Sequence, residues 1–498
     1  VKGKGGQMST FRWGNNTDVG NAERIATVAF DPNGTGKDEY IANLVFDKSS
    51  ARLRLYVTNK DRRVSNVVQI GDGNDTEYIK KLKFYQTRAM LSLAAGDFDG
   101  DGKDTLLIYT PGNNKNTYTV DSINKYAVDS IKEYTFSGST LTDNGRVINL
   151  GDVIDGGQEA LKAMLYHDGN GDNELRAHLS VDMEVGDVDM DGIEELAMTV
   201  NVNDLKEKSY DGHTDYEKSY LTVYDYNDEN SWNQKLNKKL LNKDDGASGR
   251  ARFAGVTIGY VSDAPSGSMP PEVVAVGYYD KKNNYQDCEF DRSKLLAYSY
   301  RYSTTDNSWT EKFKATEVVT NGFTDTGTKG DDVQNPIAVA AVAADGVNSQ
   351  EYLFISGSMY QIGQRDGTQL KILEGSDKGH DRWLGGRLIN NSGILDYAVG
   401  NFDGNKQGME QVYYVEYRKQ ETFDKQFLKI GQLYKKSSTS TSGGQTTVTP
   451  DSKFSRWEDD WTYYDKGNCN LALTTADVNN DAMLAKIKSV STGYTDPK

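Results

Sequence analysis

Cysteine is almost missing from this chain: Cys288 and Cys469 are the only two in 498 residues. That excludes a disulfide-rich scaffold. Neither lies in a Cys-x-x-Cys or Cys/His cluster of the kind that holds structural zinc. Whether they pair or stand as separate thiols is left open by their spacing. Histidine is scarce too, at four residues. His167, His178, His213 and His380 share no HExxH or other metal-ligand spacing, and GxSxG, P-loop and dinucleotide fingerprints are all missing. The chain therefore reads as non-enzymatic. Only the paired carboxylates of glycoside hydrolysis stay open in so acidic a sequence, with none singled out. Positive charge is outnumbered, 57 Lys and Arg against 73 Asp and Glu, for a net charge of −16. A nucleic-acid binder needs a basic stripe to neutralise phosphates, and no such cluster is present. An anionic membrane surface is disfavoured for the same reason. No apolar run approaches the ~18–20 residues of a membrane-spanning helix.

The opening "VKGKGGQMST" has no secretory signal pattern, and "STGYTDPK" stops soon after a strand-like segment. The expectation is a mature or trimmed form of an exported chain, cut from something longer. Proline is also scarce, at 8 residues, whereas glycine reaches 49 and tyrosine 31. This mix suits many short strands joined by tight turns, with aromatics on sheet faces. The length would ordinarily mean two to four domains of roughly 100–200 residues. A repeat escapes that limit, because its core grows by stacking units.

A repeat is present. The phrase "apolar strand, acidic loop, apolar strand" recurs seven times, near 25–46, 91–109, 183–200, 253–279, 337–357, 397–415 and 471–490, about every 74 residues. Between these hairpins run alternating strands, such as "YLTVYDYNDENSW" ending at Trp232 and "KLLAYSYRYSTTDNSW" ending at Trp309. Period-two alternation marks strands with one face buried. Four antiparallel strands per unit, seven times over, predict an all-β fold: a seven-bladed β-propeller forming one domain over residues 1–498. The segment Gln7–Trp13 would supply an outer strand missing from the last blade, so that both termini close the ring. "KKSSTSTSGGQTTVTP", residues 435–450, is expected to be a flexible insertion.

The loops themselves carry chemistry. Calcium takes six to eight oxygens, which a tight loop offers from alternate side chains and a backbone carbonyl. Glycine at the sixth position permits the turn. The third repeat presents Asp187, Asp189, Asp191, the Ile193 carbonyl and Glu195. The second presents Asp97, Asp99, Asp101 and the Lys103 carbonyl, with Thr105 instead of an acid at the ninth position. The first holds Asp31, Asn33, Thr35, Lys37 by its carbonyl, and Glu39, with fewer charges. The fourth and fifth have lost the acidic spacing. In the sixth, the registers Asn401/Asp403/Asn405 and Asp403/Asn405/Gln407 compete. The seventh has Asp477, Asn479 and Asp481, but no following glycine, and Ala485 at position nine. A helix-loop-helix calcium motif needs an acid at position twelve, where these loops have Ala42, Ile108 or Met198 inside apolar runs.

"AAGDFDGDGKDTLLIY" and "VGDVDMDGIEELAMTV" resemble the FG-GAP/VCBS repeats found in integrin α-subunits and many bacterial surface proteins. The resemblance implies a seven-bladed propeller with two to four Ca²⁺ ions in its blade hairpins. It implies an extracellular, secreted or cell-surface binding or adhesion module, monomeric, meeting a protein or glycan ligand on one face. A modest calcium affinity agrees with residence where calcium is plentiful. Two other roles stay open at this point: a carbohydrate-active enzyme such as a polysaccharide lyase, or the targeting part of a toxin. The segments 201–220, 357–369 and 375–387 are candidates for ligand contact through stacking and charge.

Overall fold

A computed structural model describes residues 22–36, 40–47, 52–59, 65–70, 92–110, 129–167, 174–175, 177–204, 218–227, 231–240, 249–267, 269–284, 287–318, 339–355, 358–362, 370–372, 393–401, 408–420, 425–442, 445–463, 475–476 and 486–487. Gln7–Trp13, Lys37, Glu39, Asp403, Asn405, Gln407, Asp477, Asn479, Asp481 and Cys469 lie outside these residues, as do most of the candidate contact segments.

Six four-stranded antiparallel sheets are formed among the described residues, each a simple meander in chain order. The first is β1 (Ala22–Phe30), β2 (Tyr40–Asp47), β3 (Arg52–Asn59) and β4 (Val68–Ile70). The second is β5 (Leu93–Gly96), β6 (Thr105–Thr110), β7 (Ser130–Ser137) and β8 (Thr140–Asn149). A helix, α1 (Gly157–Leu165), and a short pair, β9 (Tyr166–His167) with β10 (Glu174–Leu175), lead to the third sheet. That sheet is β11 (Ala177–Gly186), β12 (Glu195–Asp204), β13 (Lys218–Asn227) and β14 (Ser231–Leu240). The fourth is β15 (Gly249–Gly259), β16 (Glu272–Asn284), β17 (Asp287–Ser303) and β18 (Ser308–Val318). The fifth is β19 (Val339–Val342), β20 (Tyr352–Ile355), β21 (Ser358–Ile362) and β22 (Leu370–Ile372). The sixth is β23 (Gly393–Gly400), β24 (Gln411–Gln420), β25 (Lys425–Ser442) and β26 (Gln445–Tyr463). A last two-stranded pair joins β27 (Thr475–Ala476) to β28 (Lys486–Ile487). In every sheet the first two strands are the hairpin that the repeat phrase encodes.

Sheets stack face to face, and the second strands show why their sequences are unbroken apolar runs. In β6, Leu106 and Ile108 pack with Phe30, Leu44 and Leu55 of the first sheet. Their alternates Leu107 and Tyr109 pack with Val181, Met198 and Val200 of the third. In β16, Val273 and Ala275 face the third sheet, while Val274 and Val276 face the fifth. In β20, Leu353 and Ile355 face the fourth sheet and Phe354 faces Val412 and Tyr414 of the sixth. A strand buried on both faces has no polar side to alternate with. First strands lie against one another from sheet to sheet, β1 on β5, β5 on β11, β11 on β15 and β15 on β19. β27 touches β23 on one side and β1 on the other.

Two elements differ from expectation. Residues 435–450 are not a loose insertion: Ser437 to Ser442 pair with Gln445 to Pro450 as the tips of β25 and β26. Alternating threonines favour a pleated strand, and the ladder below them sets the register. Helix α1 fills the passage between the second and third sheets. Its Leu161, with Leu150 and Val153 before it, joins the core shared by those two sheets.

Candidate cation loops and the clasps between sheets

The loops joining first to second strands share one backbone conformation in the first three sheets. Positions four and six are left-handed in each: Gly34 and Gly36, Gly100 and Gly102, Met190 and Gly192. Glycine takes that conformation freely, while Met190 does so at a cost of ~1–2 kcal/mol. Neighbouring loops touch. A Cβ on Gly34 would stand 2.8 Å from the Gly102 carbonyl oxygen, and one on Gly100 3.3 Å from Ile193 Cγ1.

In the second loop, carboxylate oxygens of Asp97, Asp99 and Asp101 lie within 4.8 Å of one another. Asp97 Oδ2 accepts the Gly102 N–H at 2.9 Å, and Asp101 Oδ1 accepts that of Lys103 at 2.9 Å. The Lys103 ammonium lies 2.6 Å from Asp101 Oδ2 at the exposed edge and holds the Asp101 carboxyl below its usual range. Asp97 Oδ1 and Thr105 Oγ1, the first and ninth positions, are buried and have no hydrogen-bond partner.

The third loop repeats the pattern with an acid at position nine. Oxygens of Asp187, Asp189 and Glu195 come within 4.8 Å of one another, with Asp191 outside that trio. Asp187 Oδ2 accepts the Gly192 N–H at 3.1 Å, Asp191 Oδ1 accepts that of Ile193 at 2.8 Å, and Glu195 Oε2 accepts that of Val188 at 2.7 Å. Asp187 Oδ1 and Glu195 Oε1 are buried and unpartnered. Burial pushes the Glu195 carboxyl up to about 9, and Asp189, Asp191 and Asp225 add to the rise. Burial and Asp191 also raise Asp189. A buried oxygen with no donor costs ~1–3 kcal/mol. Two such oxygens at matching positions in two loops fit a hard divalent cation, which would take its ligands from them and from the other loop acids.

The first loop quiets its own first position. Asp31 accepts the Asn33 N–H at 3.2 Å and the Thr35 hydroxyl at 3.3 Å. Side-chain cations from neighbouring strands reach the acids of the fourth and fifth loops. Arg301 on β17 sits opposite Glu272 in the ladder, bonds to its carboxylate, and reaches Asp263 Oδ2 at 3.2 Å. The Lys435 ammonium lies 2.7 Å from Asp345 Oδ1 and 2.8 Å from the Tyr352 hydroxyl, and over the Tyr352 ring.

A second device, missed in the sequence, joins one sheet to the next at these same loops. In the second, third, fifth and sixth sheets the residue just before the second strand makes two bonds to the first loop residue of the preceding sheet. Asp104 N–H donates to Asp31 O at 3.0 Å, and its carboxylate accepts Asp31 N–H at 2.7 Å. Glu194 does the same to Asp97 at 3.2 and 2.9 Å, and Glu351 to Tyr260 at 2.9 and 3.1 Å. Glu410 clasps Ala343 at 3.1 and 2.8 Å. Glycine precedes two of these contacts for want of room. A Cβ on Gly96 would lie 2.6 Å from Glu194 Oε2, and one on Gly259 2.1 Å from Glu351 Oε2. The legible signal was an acid directly before the second strand. At the fourth sheet that place is Pro271, which has neither N–H nor carboxylate. There Asp182 on β11 takes over, accepting the Val256 N–H at 2.8 Å.

These features define the class of protein: an all-β chain of repeated, stacked four-stranded sheets with acidic turns between first and second strands. No protein-family model matches the chain, and no curated protein does. Two of the solved structures similar to it illustrate the likeness. One is the α-L-arabinofuranosidase Arb93A of Fusarium graminearum in complex with an iminosugar inhibitor, at 11% identity and TM-score 0.39, over 89% of this chain and 96% of that one. The other is the Dos1 propeller, at 11% identity and TM-score 0.33, over 94% of this chain and 80% of that one. At that level neither structure bears on what this chain binds or does. Among the described residues no helix is long and apolar enough to cross a membrane.

Proposed function

We propose that the chain is a calcium-stabilised, seven-bladed propeller of the FG-GAP/VCBS type, working as a secreted or cell-surface binding module. The observation that carries the calcium reading is the matched set of unpartnered buried oxygens, Asp97 Oδ1 with Thr105 Oγ1 and Asp187 Oδ1 with Glu195 Oε1. The other carboxylate oxygens of Asp97, Asp187 and Glu195 already accept loop N–H groups, and a cation entering from solvent would satisfy the rest. Support for seven blades closing into a ring comes from β27, which lies between β23 and β1. Neighbouring loops of the first three sheets touch, and a cation there would brace them for a protein or glycan ligand. Asp97, Asp99, Asp101, Thr105 and the Lys103 carbonyl would hold one ion. Asp187, Asp189, Asp191, Glu195 and the Ile193 carbonyl would hold the other.

Calorimetric titration of the chelator-treated chain with Ca²⁺ tests this. The expected result is saturable binding that falls by one site in Asp187→Asn and by one in Asp97→Asn. Unchanged binding in both variants, or none in the parent at millimolar Ca²⁺, refutes it. A glycan-array and surface pull-down screen, with and without chelator, then identifies the ligand class.

A further inference from the structure

We infer that Arg301 and Lys435 are built-in cations, standing in the fourth and fifth loops where the second and third loops take a metal ion. The inference rests on the calcium reading only for that comparison; the two ion clusters stand by themselves. Loop position three is Asp99 and Asp189 in the second and third loops, and Asp345 in the fifth. The first residue of the second strand is Glu195 in the third sheet, Glu272 in the fourth and Tyr352 in the fifth. Glu195 and Glu272 play the same local part, each accepting a loop N–H, from Val188 at 2.7 Å and Ser262 at 3.3 Å.

What differs is the residue across the ladder. Glu272 pairs with Arg301. The register that sets Leu196 against Tyr224 places Glu195 beside Asp225, a second carboxylate, which the Lys235 ammonium meets at 2.8 Å. So at the third loop the side-chain cation goes to Asp225 and leaves Asp187 Oδ1 and Glu195 Oε1 unpartnered, whereas at the fourth the guanidinium bonds Glu272 itself. Glu272 is wholly buried, bonded to Arg301 and to the hydroxyls of Ser262 and Ser299. Asp263 completes the guanidinium's acidic contacts. In the fifth loop the Lys435 side chain is 4% exposed and comes from the sixth sheet, so its ammonium ties β25 to Asp345. The Tyr352 and Phe454 rings lie 4.4 and 5.2 Å from it. A buried ammonium among one carboxylate, one hydroxyl and two ring faces is a coordinated cation in all but element.

The consequence is a division of labour. The loops of the second and third sheets depend on the calcium supply, while the fourth and fifth hold without it. Full-length chains carrying Arg301→Leu, Arg301→Lys or Lys435→Met are melted in chelator and in 5 mM Ca²⁺, alongside the parent. In chelator, Arg301→Leu and Lys435→Met should melt lower by about 4–8 °C, the loss from stripping one partner of a buried pair in a large chain. Arg301→Lys, which keeps the charge, should retain most of the parent's melting temperature. Calcium should restore part of the Arg301→Leu loss beyond its effect on the parent, because Glu272, Asp263, Ser262 and Ser299 then surround a place without a cation. Lys435→Met, with the single carboxylate Asp345, should stay low. Leucine tolerated as well as lysine at position 301, or no loss in chelator for either deletion, overturns the inference. So does a calcium response of Arg301→Leu no larger than the parent's in a parent that does respond. A parent indifferent to calcium would sink the calcium reading alone, leaving the chelator arms to decide this one.

Discussion

Glu351 clasps the fifth sheet to the fourth, and replacing it tests whether the clasp works by hydrogen bonding or by charge. Its carboxylate accepts the Tyr260 N–H at 3.1 Å. Burial, and then the carboxylates of Glu410 and Glu272, raise its pKa from an ordinary 4.5 to about 7. The folded state therefore holds this proton between pH 4.5 and 7, where the unfolded chain has lost it. Stability contributed by the site is undiminished below pH 4.5 and falls as pH rises through that window. At ~1.4 kcal/mol per pH unit, and discounting for partial exposure, the charge costs about 2–3 kcal/mol at pH 8. Glu351→Gln keeps an acceptor for Tyr260 and removes that cost. It should equal the parent near pH 4.5 and exceed it by about 2 kcal/mol at pH 8. Glu351→Ala removes the same cost but leaves the Tyr260 N–H without its side-chain acceptor, so it should lie ~1–3 kcal/mol below Glu351→Gln at every pH. Calorimetric melts of all three chains at pH 4.5, 6.5 and 8 in chelator read the differences directly. A glutamine variant less stable than the parent at pH 8, or a gap that does not change with pH, refutes the argument.

Three further outcomes follow from the loops. Because burial holds the Glu195 carboxyl near 9 without a cation, Ca²⁺ binding at the third loop should release about one proton at pH 7 and tighten as pH rises towards 9. Titrations in two buffers of different ionisation enthalpy measure that proton, and zero release contradicts the assignment of Glu195 as a ligand. Met190→Gly should stabilise the chain by about 0.5–1 kcal/mol, since Met190 is left-handed and 44% exposed; a lower melting temperature would show the side chain is needed where it stands. Trp232 packs edge-on against Phe98 of the second loop, at 5.0 Å between ring centroids, and against Tyr226 at 5.4 Å. Trp232→Ala should destabilise by ~3 kcal/mol and weaken Ca²⁺ binding at the second loop more than at the third, which paired Asp97→Asn and Asp187→Asn backgrounds would separate.

Much of this was written locally along the chain. The seven hairpin phrases lie where the first and second strands of the sheets and the last strand pair are found, because apolar runs and turn chemistry act over a few residues. The alternate oxygens at Asp97–Asp101 and Asp187–Asp191 were legible for the same reason. What failed was also local in its logic. A Ser/Thr-rich stretch looked unstructured because nothing nearby showed that β25 and β26 would extend through it.

Only the tertiary structure decided which loop acids already have partners. Asp31 is satisfied by Thr35, Glu272 by Arg301 and Asp345 by Lys435, while Asp97 and Asp187 keep an oxygen unmet. The sheet-to-sheet clasps join residues 67 to 97 positions apart. No window on the sequence contains both ends of such a bond. Composition and spacing set which chemistry each repeat can offer, and stacking sets which of those groups meet, because charge is balanced by neighbours in space.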